Sequence, residues 1–329
     1  MKKENKLLAI LSYLGILFLV PYIYNKNSDF VKHHAKTGKN LFLIKTAIFL
    51  LTYIIIGDVS AQTIPDYLNS LTLGNIIFIC ALIIIFGVYE IIGMINVLRG
   101  NQKNLPLLKN MDEITKCTIV ITSMFIVPDT LMIFIYLIIK NHTVSALLAN
   151  GLFIFFLYII YKKDLIKEFK IFKSDYKESI KLGLKYYFIG LGIMALSNLF
   201  INMTVGEISQ NESLVRETMF KLPLYSFLSI SIFAPITEEL VFRKSLRNIF
   251  KNKWFYALTC GMLFGLAHII TLDFSLIDLI YVIPYGSLGF AFALAYYDKK
   301  NIYTPMLIHS LHNTITFFML IFANSVGAI

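Results

Sequence analysis

Long apolar runs separated by short polar stretches recur along the whole chain, at about 7–24, 41–56, 75–98, 117–139, 145–161, 184–203, 222–249, 254–270, 276–297 and 303–323. About 20 apolar residues cross a hydrocarbon core of about 30 Å. The pattern therefore predicts an all-α, polytopic helical membrane protein with nine or ten transmembrane helices. The first run is interrupted by Pro21, which allows a spanning, a re-entrant or an interfacial segment.

The polar stretches set a topology. The segment 162–181 holds Lys162, Lys163, Lys167, Lys170, Lys173, Lys177 and Lys181 against acids at 164, 168, 175 and 178. It reads as the longest loop, and its basic balance places it in the cytoplasm. Counting forward, the acidic 204–221 stretch falls outside and the basic Arg243–Lys253 stretch inside. Asp273 and Asp278 are then outside, with Lys299 and Lys300 inside. The polar 99–116 stretch divides the chain into a helical membrane domain over 1–110 and a second domain over 111–329, with its motifs between 222 and 323. The first domain, with Tyr13-Leu14-Gly15, Pro21 and Phe30-Val31-Lys32-His33-His34-Ala35-Lys36, resembles a small bacterial membrane domain of unknown function, found alone or fused to others.

Composition agrees with the pattern. Of 329 residues, 57% are hydrophobic and 15% charged, and a mean hydropathy of +0.70 excludes an ordinary soluble domain. A net charge of +10 could suit nucleic acid, but the basic residues lie in the short polar stretches, where membrane orientation accounts for them. The partner expected from charge is the lipid bilayer, and no nucleic acid is expected. Cys80, Cys117 and Cys260 sit inside apolar runs at spacings that match neither a metal site nor a disulfide framework. Pro21 and Tyr22 follow the first apolar run where small residues would mark a signal cleavage, so no cleavable signal peptide is expected.

Candidate chemistry is concentrated in the last third. Glu238 and Glu239 stand side by side within the 222–249 run, with Arg243 four residues after Glu239. An ionisable group at membrane depth costs several kcal/mol by most scales, which makes it a functional-site candidate. Two further runs carry Phe264-Gly265-Leu266-Ala267-His268 and His309-Ser310-Leu311-His312-Asn313. Each element sets two side chains on one helix face at i, i+4: Glu239 with Arg243, Phe264 with His268, His309 with Asn313. Measured from the adjoining cytoplasmic turns at 1.5 Å per residue, Glu238, His268, His309 and Asn313 lie about 12–24 Å deep, in one layer.

A carboxylate can act there as general base on water, an imidazole can orient the water or pass a proton, and imidazole and carboxamide N–H groups can stabilise an oxyanion. The blander reading of Glu239 and Arg243 is an ion pair that neutralises charge in lipid, which is compatible with a supporting role. His312, one position off the Asn313 face, reads as structural. Phe264 reads as packing that shapes the pocket. Glu90 and the Pro128-Asp129 pair read as polar contacts or a helix break, and His33 and His34 as solvated or at headgroup level.

The ordered set Glu-Glu-x-x-x-Arg, Phe-x-x-x-His and His-x-x-x-Asn on membrane helices resembles the CPBP family of intramembrane proteases, which includes CAAX prenyl endopeptidases and bacterial bacteriocin-immunity proteins. The resemblance implies a metal-independent endopeptidase with no cofactor, acting on a membrane-embedded peptide or protein substrate. Under it Glu238 and His268 activate water, Glu239 and Arg243 support the first glutamate, and His309 with Asn313 forms the oxyanion hole. The Ile-, Lys- and Asn-rich composition points to a bacterial cell membrane. Three alternatives stay open: a zinc hydrolase using Glu238, His268 and His309; a non-catalytic immunity or peptide-binding protein using the same cavity; and, with less support, a transporter.

Overall fold

The computed structural model describes residues 3–24, 28–56, 71–106, 108, 110–269 and 276–327. Every regular element among them is helical: α1 (Lys3–Leu11), a 3₁₀ turn (Gly15–Phe18), α2 (Leu19–Tyr24), α3 (Asp29–Ile56), α4 (Leu73–Leu98), α5 (Met111–Ile139), α6 (His142–Ser174), α7 (Tyr176–Thr204), α8 (Gln210–Lys221), α9 (Pro223–Lys244), α10 (Lys253–Ile269), a second 3₁₀ turn (Leu276–Tyr281), α11 (Val282–Lys299) and α12 (Tyr303–Ser325). Seven helices among the described residues are long and apolar enough to cross a membrane: α4, α5, α6, α7, α9, α11 with its leading 3₁₀ turn, and α12. This is a polytopic helical membrane protein. The run at 7–24 is broken by a turn over residues 12–14 into α1 and the apolar Gly15–Tyr24 stretch, each well short of the about 20 residues a crossing needs. The run at 41–56 is the second half of α3, and α10 has 17 residues up to the limit of the described chain.

The chain divides into two compact units, Met1–Thr122 and Ser123–Ile329. In the first, Ala9, Tyr13, Val31, Leu41, Phe86 and Val97 form a core shared by α1, α3 and α4. His34 is fully buried there rather than solvated. Its Nε2 donates to the Asn101 carbonyl at 3.0 Å, so its Nδ1 accepts the Tyr13 hydroxyl at 2.8 Å. Glu90 is neutralised by Lys45 across α3 and α4.

In the second unit α11 is the central helix, packed on α10 and α7. Small residues allow the approach: a Cβ on Gly261 would meet the Gly286 carbonyl oxygen at 2.7 Å, and one on Gly265 the Val282 carbonyl oxygen at 2.6 Å. Gly261 and Gly265 are an i, i+4 pair of the small-xxx-small kind that lets membrane helices pack backbone to backbone. The polar segment around 162–181 is not a loop. α6 runs 33 residues to Ser174, about 50 Å at 1.5 Å per residue, and α7 starts at Tyr176. The basic residues there extend helices beyond the apolar stretch. Pro128 lies inside α5, which continues through it.

Candidate active site

α9 is the element that builds the site. It is interrupted by two π-helical turns, Phe227–Phe233 and Glu239–Lys244, around a short α-helical stretch, Ala234–Glu238. π-Turns widen a helix and release carbonyls from its ladder, and they recur at functional sites. Neighbouring side chains take those carbonyls here. From α12, Asn313 Nδ2 donates to the Ile230 carbonyl at 2.8 Å and Ser310 Oγ to the Ser231 carbonyl at 2.5 Å. From α10, Cys260 Sγ donates to the Phe242 carbonyl at 3.1 Å and the Tyr256 hydroxyl to the Arg243 carbonyl at 2.9 Å. Backbone polar groups buried in lipid must be satisfied within the protein, so these four side chains hold the distorted helix in place.

The glutamates take different partners. Glu239 is fully buried, with Oε1 3.4 Å from Arg243 Nη1 and 3.0 Å from His309 Nδ1. Arg243, also fully buried, lies 4.3 Å above the Phe264 ring, and its Nε and Nη atoms make no hydrogen bond among the described residues. Glu238 keeps 12% of its side chain exposed and faces the other imidazole nitrogen, with Oε2 3.7 Å from His309 Nε2. His309 therefore bridges the two acids. Its ring rests 5.0 Å from Phe292 and 6.0 Å from Phe264.

His268 completes the cluster. Its Nδ1 lies 2.8 Å from the Phe264 carbonyl, which can only accept, so Nδ1 carries a proton, and in the neutral ring Nε2 keeps a lone pair that has no hydrogen-bond partner among the described residues. The ring packs between Phe264, at 4.3 Å, and Tyr285, at 4.8 Å with an interplanar angle of 25°. Glu238, His309 and Arg243 all lie within electrostatic reach of it.

Glu238, Glu239, Arg243, Phe264, His268 and His309 thus meet on three helices. Asn313 sits one turn beyond His309, with one of its two amide hydrogens committed to Ile230. His312 is outside the cluster, its Nδ1 3.1 Å from the Tyr187 hydroxyl. Among the described residues no three His, Cys, Asp or Glu side chains are disposed to hold one metal ion.

Two features carry no sequence signal that separates them from their surroundings. One is Tyr285, an aromatic residue in an apolar run. The other is a buried ionic network beneath the second π-turn. Lys244 pairs with Glu168 at 2.5 Å and Asp164 at 3.1 Å, while Glu168 also accepts from the Tyr296 hydroxyl and the Ile302 backbone N–H, each at 2.9 Å. It ties α6, α11 and the start of α12 to the end of α9.

Fold and site together define a helical integral membrane protein with a carboxylate–imidazole cluster inside its helix bundle. Residues 220–315 match the family described as type II CAAX prenyl endopeptidase Rce1-like, which supports the CPBP, or CAAX protease, resemblance of the ordered motifs in that part of the chain. Residues 4–111 match the magnetosome magnetite crystal formation protein family. Among relatives, the putative membrane peptidase YdiL of Bacillus subtilis is 29% identical over 157 residues, covering 45% of this chain and 60% of its own length. The membrane-embedded CAAX protease MroQ of Staphylococcus aureus is 27% identical over 154 residues, 42% of this chain and 59% of that protein. An uncharacterized protein of Mycoplasma capricolum is 28% identical over 165 residues, 46% of this chain and 47% of its own length. The chain thus spans about half the length of the curated relatives it matches. No solved structure gives a significant match.

Proposed function

We propose that this chain is an intramembrane endopeptidase of the bacterial cell membrane, in which Glu238 activates water without a metal ion to cleave a membrane-embedded peptide or protein tail. The observation that carries this reading is the division of labour between the paired acids: Glu239 is closed off by Arg243 and His309, while Glu238 stays partly exposed at the other nitrogen of His309, with His268 within electrostatic reach. Glu238 takes a proton from water as the water oxygen bonds to the substrate carbonyl carbon. Nε2 of His268 accepts a hydrogen bond from the second O–H of the water, which keeps that hydrogen, and orients the attack. The carbonyl π-bond breaks to an oxyanion, which meets His309 Nε2–H and the remaining amide hydrogen of Asn313. Collapse of the oxyanion breaks the C–N bond, and Glu238 returns its proton to the leaving amine.

Membrane peptides compared between cells making wild-type protein and cells making Glu238→Ala test the reading. Peptides should be lost or retained in the variant at a defined cleavage point. Identical peptide sets, with both proteins equally abundant, would overturn it in favour of a non-catalytic binding role. Activity of the purified protein that falls with a chelator and returns with zinc would overturn the metal-free part alone.

A further inference from the structure

We infer that Tyr285 is a positioning residue for His268, and that its hold depends on the segment leading into α8. This rests on the endopeptidase reading above. Among the described residues His268 is secured by hydrogen bonding at one edge, through the Nδ1 bond to the Phe264 carbonyl. A ring held by a single edge bond can still tilt about it, and the tilt would carry Nε2, on the opposite edge, away from the water it orients. Tyr285 blocks that tilt, lying nearly parallel to the imidazole at 4.8 Å against the Phe264 ring on the other side.

Tyr285 is itself anchored at its far end. Its hydroxyl shares a hydrogen bond of 2.7 Å with Ser209 Oγ and accepts one of 3.4 Å from Asn211 Nδ2. Ser209 is buried and also caps α8, accepting from the Glu212 N–H at 3.2 Å. One turn earlier, the Tyr281 hydroxyl donates to the Glu207 carbonyl at 2.9 Å. Two tyrosines at i, i+4 thus clamp the 207–211 segment, and the second carries that clamp to the imidazole. A tyrosine in an apolar helix that spends its hydroxyl on a polar connecting segment has a partner beyond packing.

The test uses the full chain in liposomes, with an internally quenched peptide carrying a farnesylated cysteine four residues from its C-terminus. Tyr285→Phe keeps the ring and removes the anchor, and should lower kcat several-fold at unchanged KM. Tyr285→Leu removes both and should lower kcat by about 100-fold, the scale of a displaced catalytic group. Ser209→Ala with Asn211→Ala should reproduce the Tyr285→Phe effect and add nothing to it when combined. Nitrogen-15 spectra of labelled histidine supply a readout independent of the substrate. His268 should show one tautomer, protonated at Nδ1, in wild type and Tyr285→Phe, and mixed tautomers in Tyr285→Leu. Unchanged kcat in Tyr285→Leu while Glu238→Gln is inactive would overturn the positioning role and leave the endopeptidase standing. A single unchanged His268 tautomer in Tyr285→Leu would overturn it whatever the peptide shows.

Discussion

Removing Arg243 as Arg243→Met leaves Glu239 a fully buried carboxylate with the His309 Nδ1 contact but without its guanidinium, and the cost can be worked from the geometry. At 3.4 Å the two charges attract by about 5 kcal/mol at an effective dielectric constant of about 20. Part of that offsets the cost of burying them, and breaking such a pair from one side typically costs about 3–5 kcal/mol. The guanidinium over Phe264 adds about 1 kcal/mol of cation–π attraction that methionine forfeits. Against a total stability of about 5–15 kcal/mol, the single variant should unfold at a clearly lower temperature. The double variant Glu239→Gln with Arg243→Met carries no charge, and glutamine can still reach His309 Nδ1. It should recover to within about 1–2 kcal/mol of wild type, since replacing both members of a buried pair is often neutral. The assay is thermal or SDS-induced unfolding in mixed micelles for both single variants and the double. A double variant destabilised by the sum of the two singles would refute the coupling, and with it the view that Arg243 serves to neutralise Glu239.

Other predictions follow from particular contacts. His309→Ala should abolish cleavage, whereas His312→Phe, which removes the hydrogen bond with the Tyr187 hydroxyl, should retain activity within a few-fold; equal losses in a peptide-cleavage assay would count against the division between them. Gly261→Leu should cost about 1–3 kcal/mol or more by forcing α10 from α11, read as a lower unfolding midpoint, and a wild-type midpoint would contradict the close packing. Burial and the neighbouring His33 lower the His34 pKa from 6.5 to about 4. The unfolded chain therefore takes up the proton first, so this contribution to stability is complete above pH 6.5 and is lost as pH falls toward 4. Hydrogen exchange of the first unit between about pH 7 and pH 4 should show the loss in wild type and a flatter profile in His34→Gln.

The membrane class and the clustering of the candidate residues are legible in the sequence for one reason: polar groups in lipid are costly, so each one stands out against an apolar run. Glu238, Glu239, Arg243, His268 and His309 stand out that way. Where polarity is the background, the same logic fails. Glu168 lies among lysines in a stretch that reads as loop, yet it is buried against Lys244 and Tyr296. His34 lies in a basic segment and is fully buried. Hydropathy reports how much water a stretch tolerates, and says nothing of whether a polar stretch continues as helix or which of its side chains turns inward. The π-turns in α9 are likewise hidden, because the side chains that take their carbonyls come from α10 and α12, far away in sequence. Asn313 shows the consequence: its spacing from His309 suggests a donor to the oxyanion, and it also secures the Ile230 carbonyl.

The central claim is that Glu238, and not its neighbour, works on water. Purified wild type and Glu238→Gln, reconstituted in liposomes at equal amounts and checked for equal unfolding midpoints, should be compared on the farnesylated reporter peptide and on any membrane peptide identified in cells. Glutamine keeps the shape and cannot take the proton, so the account predicts cleavage by wild type and a loss of at least about 100-fold in kcat for the variant. Cleavage by a fully folded Glu238→Gln protein at the wild-type rate would contradict it.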